Sequence, residues 1–560
     1  MIVKSRAAAL IAAFAVALAA CTTSTAPSSL ASPSNVAASS AEPLHLTLLA
    51  FNDFHGQLTS LADGSGGAAA LAGTLAQLRA RNPLTAVVAA GDLISASPMT
   101  SALFHDEPSI EALNLAGLEC SSVGNHEFDK GVAELQRMQN GGCAKDAPQA
   151  SCHGHAFTGA RFQYLAANVT DASTGKPLFA PSALKTFSLG NGRTLKVGFI
   201  GAVLRSVPEL VVPAMVKTLT FSDEASAINA TVPALRAQGA EVIVVLIHEG
   251  GVTSTTAFDD TTCPNFSGGI LPIVDRLDPA IDAVVSGHTH RTYICRRNGR
   301  LVTSAGSQGR FITDIDLTVD VASHRVTGSS ARQVAVNSAL TTSAKNAEVQ
   351  ALVDRYTADA APLTDRVVTT IKQDITRHAS PAGESALGDL IADAHLAAMS
   401  APGEGGAQIG LMNSTGIRTD LLAQSGHITV GDIRGVHPFG NALITLTLTG
   451  AQLHDLLEQQ WTQGRSTLQI SRGFSYEWRP AAAPGNRVAR VSLDDKPIDP
   501  TARYRVVTNE FLAGGGDGFT VLVNGTDRTR GMLDAEALEK YASVHSPLTS
   551  PTEGRIRTAQ

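Results

Sequence analysis

An α/β layered domain followed by a second globular segment is the fold this sequence predicts, on three observations. From about residue 43 to 336, short apolar runs rich in β-branched residues each end in a polar, glycine-containing turn. Runs that are apolar almost throughout suit strands buried on both faces. Helical stretches often follow the turns, and strands alternating with helices form layered sheets. Near residue 346 the pattern gives way to an amphipathic helix, with shorter strand-like runs beyond it.

Taken in order, the first element lies outside the fold. Lys4 and Arg6 precede an apolar run over 7–20. It is shorter than the ~20 residues a spanning helix needs and has the length of a signal h-region. It ends in Leu18-Ala19-Ala20-Cys21, which resembles a bacterial lipobox. Residues 1–20 are therefore expected to be a signal peptide and Cys21 a lipidated membrane anchor. Ordinary signal cleavage with Cys21 incidental is the alternative. Thr22, in place of an Asp, favours the outer membrane of the cell envelope, facing the periplasm. Residues 21–42, rich in Ser, Thr, Pro and Ala, read as a flexible tether.

The strands follow. Runs at 47–51, 86–90, 121–123, 242–247 and 283–285 lead into turns carrying Asp53 and His55, Asp92, Asn125 and His126, His248, and His288 and His290. In a sheet of this kind the ligand site lies beyond the carboxyl ends of the strands. Farther on, Val349, Leu352, Val353 and Tyr356 recur at i, i+3, i+4 and i+7, one face of a connecting helix without ligand-like residues. The second segment opens on a helical run at 387–399 and continues through strand-like runs at 442–448 and 503–507.

Composition narrows the function. Apolar residues make up 44 % and charged ones 17 %, a globular balance. With 43 Lys and Arg against 50 Asp and Glu, the net charge of −7 excludes a nucleic-acid polymer binder working by bulk attraction. A small phosphorylated ligand needs only local positive charge. In an exported chain disulfides are permitted, and beside Cys21 an odd five cysteines remain. Cys143 with Cys152 and Cys263 with Cys295 are plausible pairs, which leaves Cys120 as a buried thiol; sequence alone allows other connectivities.

One Asp or His after a strand is usually a loop or core residue. Five strand ends in succession that finish in Asp, Asn or His point to a shared centre. Carboxylate, imidazole and amide donors suit borderline divalent ions such as Zn²⁺ or Mn²⁺ and not a thiolate site. There are more donors than one ion needs, so two ions sharing a carboxylate are expected. Such a pair clamps a phosphoryl group and lowers the pKa of bound water.

Asp53-x-His55, Gly91-Asp92, Gly124-Asn125-His126-Glu127, His248 and Gly287-His288-x-His290 together resemble the calcineurin-like metallophosphoesterase signature. The string from Gly124 to Asp129 is similar to the bacterial 5′-nucleotidase branch, which includes UDP-sugar hydrolases and 2′,3′-cyclic-nucleotide phosphodiesterases. The resemblance implies a four-layer α-β-β-α domain over 43–340, a connecting helix over 341–366 and an α+β substrate domain over 367–557. One metal would take Asp53, His55 and His290, the other Asn125, His248 and His288, with Asp92 bridging. His126 would face the phosphate as a catalytic group, oriented by Asp129. Asn413 and Arg418 would approach nucleoside and phosphate. Phe439 and Phe511 would sandwich the base, at ~1–3 kcal/mol per stacked base, and Asp517 would meet the ribose hydroxyls. Arg377 is a further phosphate candidate, although it lies farther upstream of its helix than the family's arginines. The implied reaction is hydrolysis of nucleoside 5′-monophosphates, with UDP-sugars or 2′,3′-cyclic nucleotides as alternatives. A non-catalytic surface binding protein on the same fold would have lost ligands, and none is missing.

Overall fold

The computed structural model describes residues 43–145, 150–320, 322–337, 345–462 and 466–559. The expected signal peptide over 1–20, Cys21 and the tether over 21–42 lie outside the described residues. Among those described, no helix is long and apolar enough to cross a membrane.

Two six-stranded sheets build the first domain. One runs, edge to edge, through Arg325–Ala335, Phe311–Asp320, Leu44–Phe51, Thr85–Ala90, Cys120–Ser122 and Gln163–Leu165. The other runs through Thr292–Arg297, Arg300–Ala305, Ala283–Ser286, Val242–His248, Arg193–Val203 and Ser182–Gly190. The central strands of each are parallel, so their carboxyl ends gather at one edge.

The period of two explains why these runs are apolar on both faces. Leu46, Leu48 and Ala50 share the layer between the sheets with Val242, Val244 and Leu246. Their neighbours Leu49 and Phe51 turn outward onto helices Ala68–Arg79 and Glu107–Ala116. On the second sheet Ile243, Val245 and Ile247 turn outward onto Glu224–Ala237 and Ile270–Val274. Helix, sheet, sheet and helix thus enclose three apolar layers, the expected four-layer arrangement. Each fully buried Leu or Val contributes about 1.5–3 kcal/mol.

The amphipathic helix spans Ala347–Thr364, and the Asn346 side chain caps it by accepting from the N–H groups of Glu348 and Val349. Val349 and Val353 join the outer core of the first sheet, and Tyr356 packs on Phe104. Beyond it, a five-stranded sheet runs through Leu468–Ile470, Ile409–Asn413, Arg503–Asn509, Ala442–Thr449 and Thr526–Leu533. Helix Ala386–Met399 packs against it, capped by Ser385. Gly388 is required by that packing, since a Cβ there would stand 2.3 Å from Gln469 Cγ. Disulfides join Cys143 to Cys152 and Cys263 to Cys295, and Cys120 is a buried free thiol.

Candidate active site

The turns beyond the parallel strands bring six of the seven sequence-predicted ligands together, and Asn125 lies buried in the turn after Cys120–Ser122. Asp53, His55, Asp92, His288 and His290 all have φ between 47° and 72°. Side chains avoid this left-handed region, and it persists where the surroundings over-determine it, commonly at functional sites. Gly124 is forced by the same crowding, because a Cβ would stand 2.2 Å from Asp92 Oδ1.

Two clusters result: Asp53 with His55 and His290, and Asp92 with His248 and His288. In the first, His290 Nε2 lies 3.2 Å from Asp53 Oδ1 and 3.1 Å from His55 Nε2. In the second, His248 Nε2 lies 3.0 Å from Asp92 Oδ2. That same oxygen is 3.8 Å from His55 Nε2, which places Asp92 between the clusters.

The surrounding bonds leave one donor atom of His55, His248 and Asp53 facing the clusters. His55 Nδ1 donates to Ser95 O at 3.1 Å and His248 Nδ1 to Ala90 O at 2.7 Å, so Nε2 is the nitrogen each turns toward the cluster. Asp53 Oδ2 accepts from Asn52 Nδ2 at 2.6 Å and from His288 N–H at 2.9 Å, which leaves Oδ1. Asp53 Oδ1, Asn125 Oδ1 and His248 Nε2 are buried without a hydrogen-bond partner. Orphaned buried donors and acceptors are costly and call for an explanation. Divalent cations fit this all-nitrogen-and-oxygen set.

Electrostatics agree. Burial pushes His55 well below the usual imidazole range. Burial, helped by the charge of His248, takes His288 down to about 4. Asp53 is raised by burial, but the charges of His290 and His248 outweigh that and bring it to about 2. His248 is lowered by burial, yet Asp92 outweighs it and lifts the imidazole to about 10. A cation entering there displaces a proton.

His126 opens the turn after Cys120–Ser122, and its Nδ1 bonds Asp129 Oδ2 at 2.7 Å. That bond commits Nδ1 and leaves Nε2 for a substrate. Burial lowers its basicity, but the charges of Asp129 and Asp92 outweigh burial, and the net shift is upward.

A cavity of about 420 Å³ joins the two domains. Asp92, His126, Asp129, His288 and His290 line it from the first domain, and Asn413, Arg418, Phe439, Phe511 and Asp517 from the second. The Phe439 ring lies nearly parallel to His126, centroids 5.6 Å apart, with Arg418 Cζ 5.8 Å from its centre. Asp517 accepts from Asn413 Nδ2 at 2.9 Å and from the Thr415 hydroxyl.

Arg377, the further phosphate candidate, stands outside the cavity lining. It is exposed, and its Nη1 donates to Ile417 O at 3.1 Å. Its backbone N–H is held by Asp420 at 2.8 Å.

Sequence reasoning missed several residues. Leu210, Val211 and Val212 form an apolar wall of the cavity, and Asn509 lines it while donating to Asn413 Oδ1 at 3.0 Å. Glu127, buried, accepts from the N–H groups of Asp92, Leu93 and Gly124 at 2.9, 2.8 and 2.6 Å. Only for Glu127 did a signal exist, its place between His126 and Asp129.

Paired carboxylate–imidazole clusters at the carboxyl edge of two stacked sheets define a metal-dependent phosphoesterase. The calcineurin-like phosphoesterase model matches residues 46–292, and the 5′-nucleotidase C-terminal domain model matches 366–524. The chain is 30 % identical over 533 residues to Endonuclease YhcR of Bacillus subtilis, covering 93 % of this chain and 41 % of that one. It is 24 % identical over 545 residues to Protein UshA of Yersinia enterocolitica, covering 90 % and 92 %. The crystal structure of a 5′-nucleotidase precursor from Thermus thermophilus superposes with a TM-score of 0.74 at 27 % identity, over 92 % of this chain and 99 % of that one. The chain belongs to the 5′-nucleotidase family of calcineurin-like phosphoesterases, which are hydrolases that use divalent metals.

Proposed function

We propose that this protein releases phosphate from nucleoside 5′-monophosphates at a two-metal centre. The observation that carries the reading is one continuous cavity, with the ligand clusters and His126 on one wall and Phe439, Phe511 and Asp517 on the other. Asp53, His55 and His290 would hold one ion, and Asn125, His248 and His288 the other, with Asp92 shared. Zn²⁺ and Mn²⁺ both suit these donors. Bound there, the ions would supply an activated water and neutralise charge on the phosphoryl oxygens.

The residues of the chain do the rest. Arg418 adds positive charge beside the clusters and pairs with the phosphate. Asp129 fixes the ring of His126, whose Nε2 proton passes to the departing ribose oxygen. Phe439 and Phe511 offer aromatic faces to the base, and Asp517 accepts from ribose hydroxyls. The relatives named 5′-nucleotidase, from two Vibrio species, support the substrate class. Export as a lipoprotein anchored through Cys21 completes the proposal, resting on the lipobox resemblance.

Phosphate release from AMP, UDP-glucose and 2′,3′-cyclic AMP, each with and without chelator, tests it. Chelator-sensitive release from AMP at the highest kcat/KM is expected. Preference for UDP-glucose or the cyclic nucleotide would move the assignment within the family, and no chelator-sensitive release from any of the three would overturn it.

A further inference from the structure

A second polar cluster lies inside the second domain, and one of its members, Asp534, also reaches the lining of the cavity. His395, His437 and Asp534 are each 1 % exposed or less. His395 Nδ1 donates to Leu411 O at 3.1 Å, while its Nε2 has no hydrogen-bond partner. Both ring nitrogens of His437 and Asp534 Oδ2 also lack hydrogen bonds. His437 Nδ1 nevertheless stands 3.4 Å from Asp534 Oδ2, at ion-pair range, and its ring meets that of His395 edge-on at 6.0 Å. Buried polar groups left without hydrogen bonds are costly, so the presence of this arrangement asks for a use.

The connections of the cluster supply one. Asp534 pins the loop 437–441 at both ends: its carboxylate faces His437, and its N–H donates to Asn441 O at 2.9 Å. Between those anchors Pro438 has no N–H to donate, and Gly440 sits at φ 68°. The loop therefore depends on its ends for its shape. At its centre is Phe439, which reaches the cavity. His395 ties the same cluster to the strand Ile409–Asn413, whose last residue also lines the cavity.

We propose that His437 and Asp534 are a positioning pair that holds Phe439 as the stacking platform for the nucleobase. The inference rests on the reading of the cavity as a nucleotide site. The 3.4 Å contact between His437 and Asp534, buried on all sides, fixes the first residue of the loop. An apolar pair would fill the space without fixing it.

Two variants test the pair, His437→Phe, which keeps a ring, and Asp534→Asn, which keeps the N–H to Asn441. For each, kcat and KM are measured by phosphate release from AMP and from glycerol 2-phosphate, which has no base to stack. The ratio of the two kcat/KM values is expected to fall about tenfold, within what stacking on one base supplies, with the change carried by KM for AMP. A ratio at the wild-type value in both variants overturns the proposal, as does an equal loss on both substrates or failure of both variants to fold, which would mark a purely structural pair. A wild-type enzyme with no preference for AMP over glycerol 2-phosphate would overturn the base-stacking reading and this proposal together. A wild-type preference that survives both substitutions overturns this proposal alone.

Discussion

Glu127→Gln is the most informative single change in the first domain. The Glu127 carboxylate accepts from three backbone N–H groups, with Asp92 and Gly124 on Oε2 and Leu93 on Oε1. An amide keeps one acceptor oxygen. If that oxygen serves Asp92 and Gly124, an NH₂ group faces the N–H of Leu93, donor against donor. The hydrogen bond from Leu93 N–H is lost, that buried N–H is left unmatched, and the two surviving bonds weaken. Together these cost about 2–4 kcal/mol of folding stability. The loss falls on the backbone of Leu93, next to Asp92, the residue placed between the two clusters. Changes of this kind behind metal ligands typically weaken metal binding 10–100-fold. Denaturant melts in chelator give the first number, and calorimetric titration with Mn²⁺ gives the second. A Glu127→Gln protein with wild-type stability and two equivalents bound at wild-type affinity would refute the reasoning, because the three bonds would then carry nothing.

Other changes separate the roles. His126→Ala should lower kcat by about 10²–10⁴ with metal content unchanged by elemental analysis, and Asp129→Asn should lower kcat by less, through the same imidazole. Removing metal with chelator should lower Tm, because ions bound only by the folded state stabilise it, and scanning calorimetry reads the shift. Leu246→Ala, in the layer between the sheets, should cost about 2–5 kcal/mol in a urea melt without changing KM. Asp389 is raised by burial to about 9, more than the neighbouring Arg555 lowers it. A carboxyl raised on folding binds its proton more tightly in the folded state. Its stabilising contribution is full below about pH 4 and is lost as pH rises toward 9. Asp389→Asn should flatten that decline in denaturant melts across the range.

Much of this was legible in the sequence because strand and turn chemistry are local. The run 242–247 had to be a two-sided strand, since neither set of alternate positions is polar, and the structure assigns one set to each apolar layer. His248, His288 and His290 were legible because each follows such a strand directly. The walls of the cavity were not. Asn509 acts through Asn413, and Leu210–Val212 become a wall only when the second domain closes over them. Neither has a local pattern to announce it. Arg377 shows the converse: a residue of suitable type near the expected place, held outward by Ile417 and Asp420. The cluster of His395, His437 and Asp534 also needs three distant segments to meet.

His55 and His290 touch although 235 positions separate them in the chain. The strand Leu44–Phe51 that carries the first ligands pairs on one side with Phe311–Asp320, among the last strands of its domain. A growing or partly folded chain therefore has no complete set of donors to offer. Metal capture is therefore expected to follow closure of both sheets, unlike in small domains that fold around their ion. The ion that fills the centre is then selected by the surroundings in which folding finishes, not by those in which translation begins.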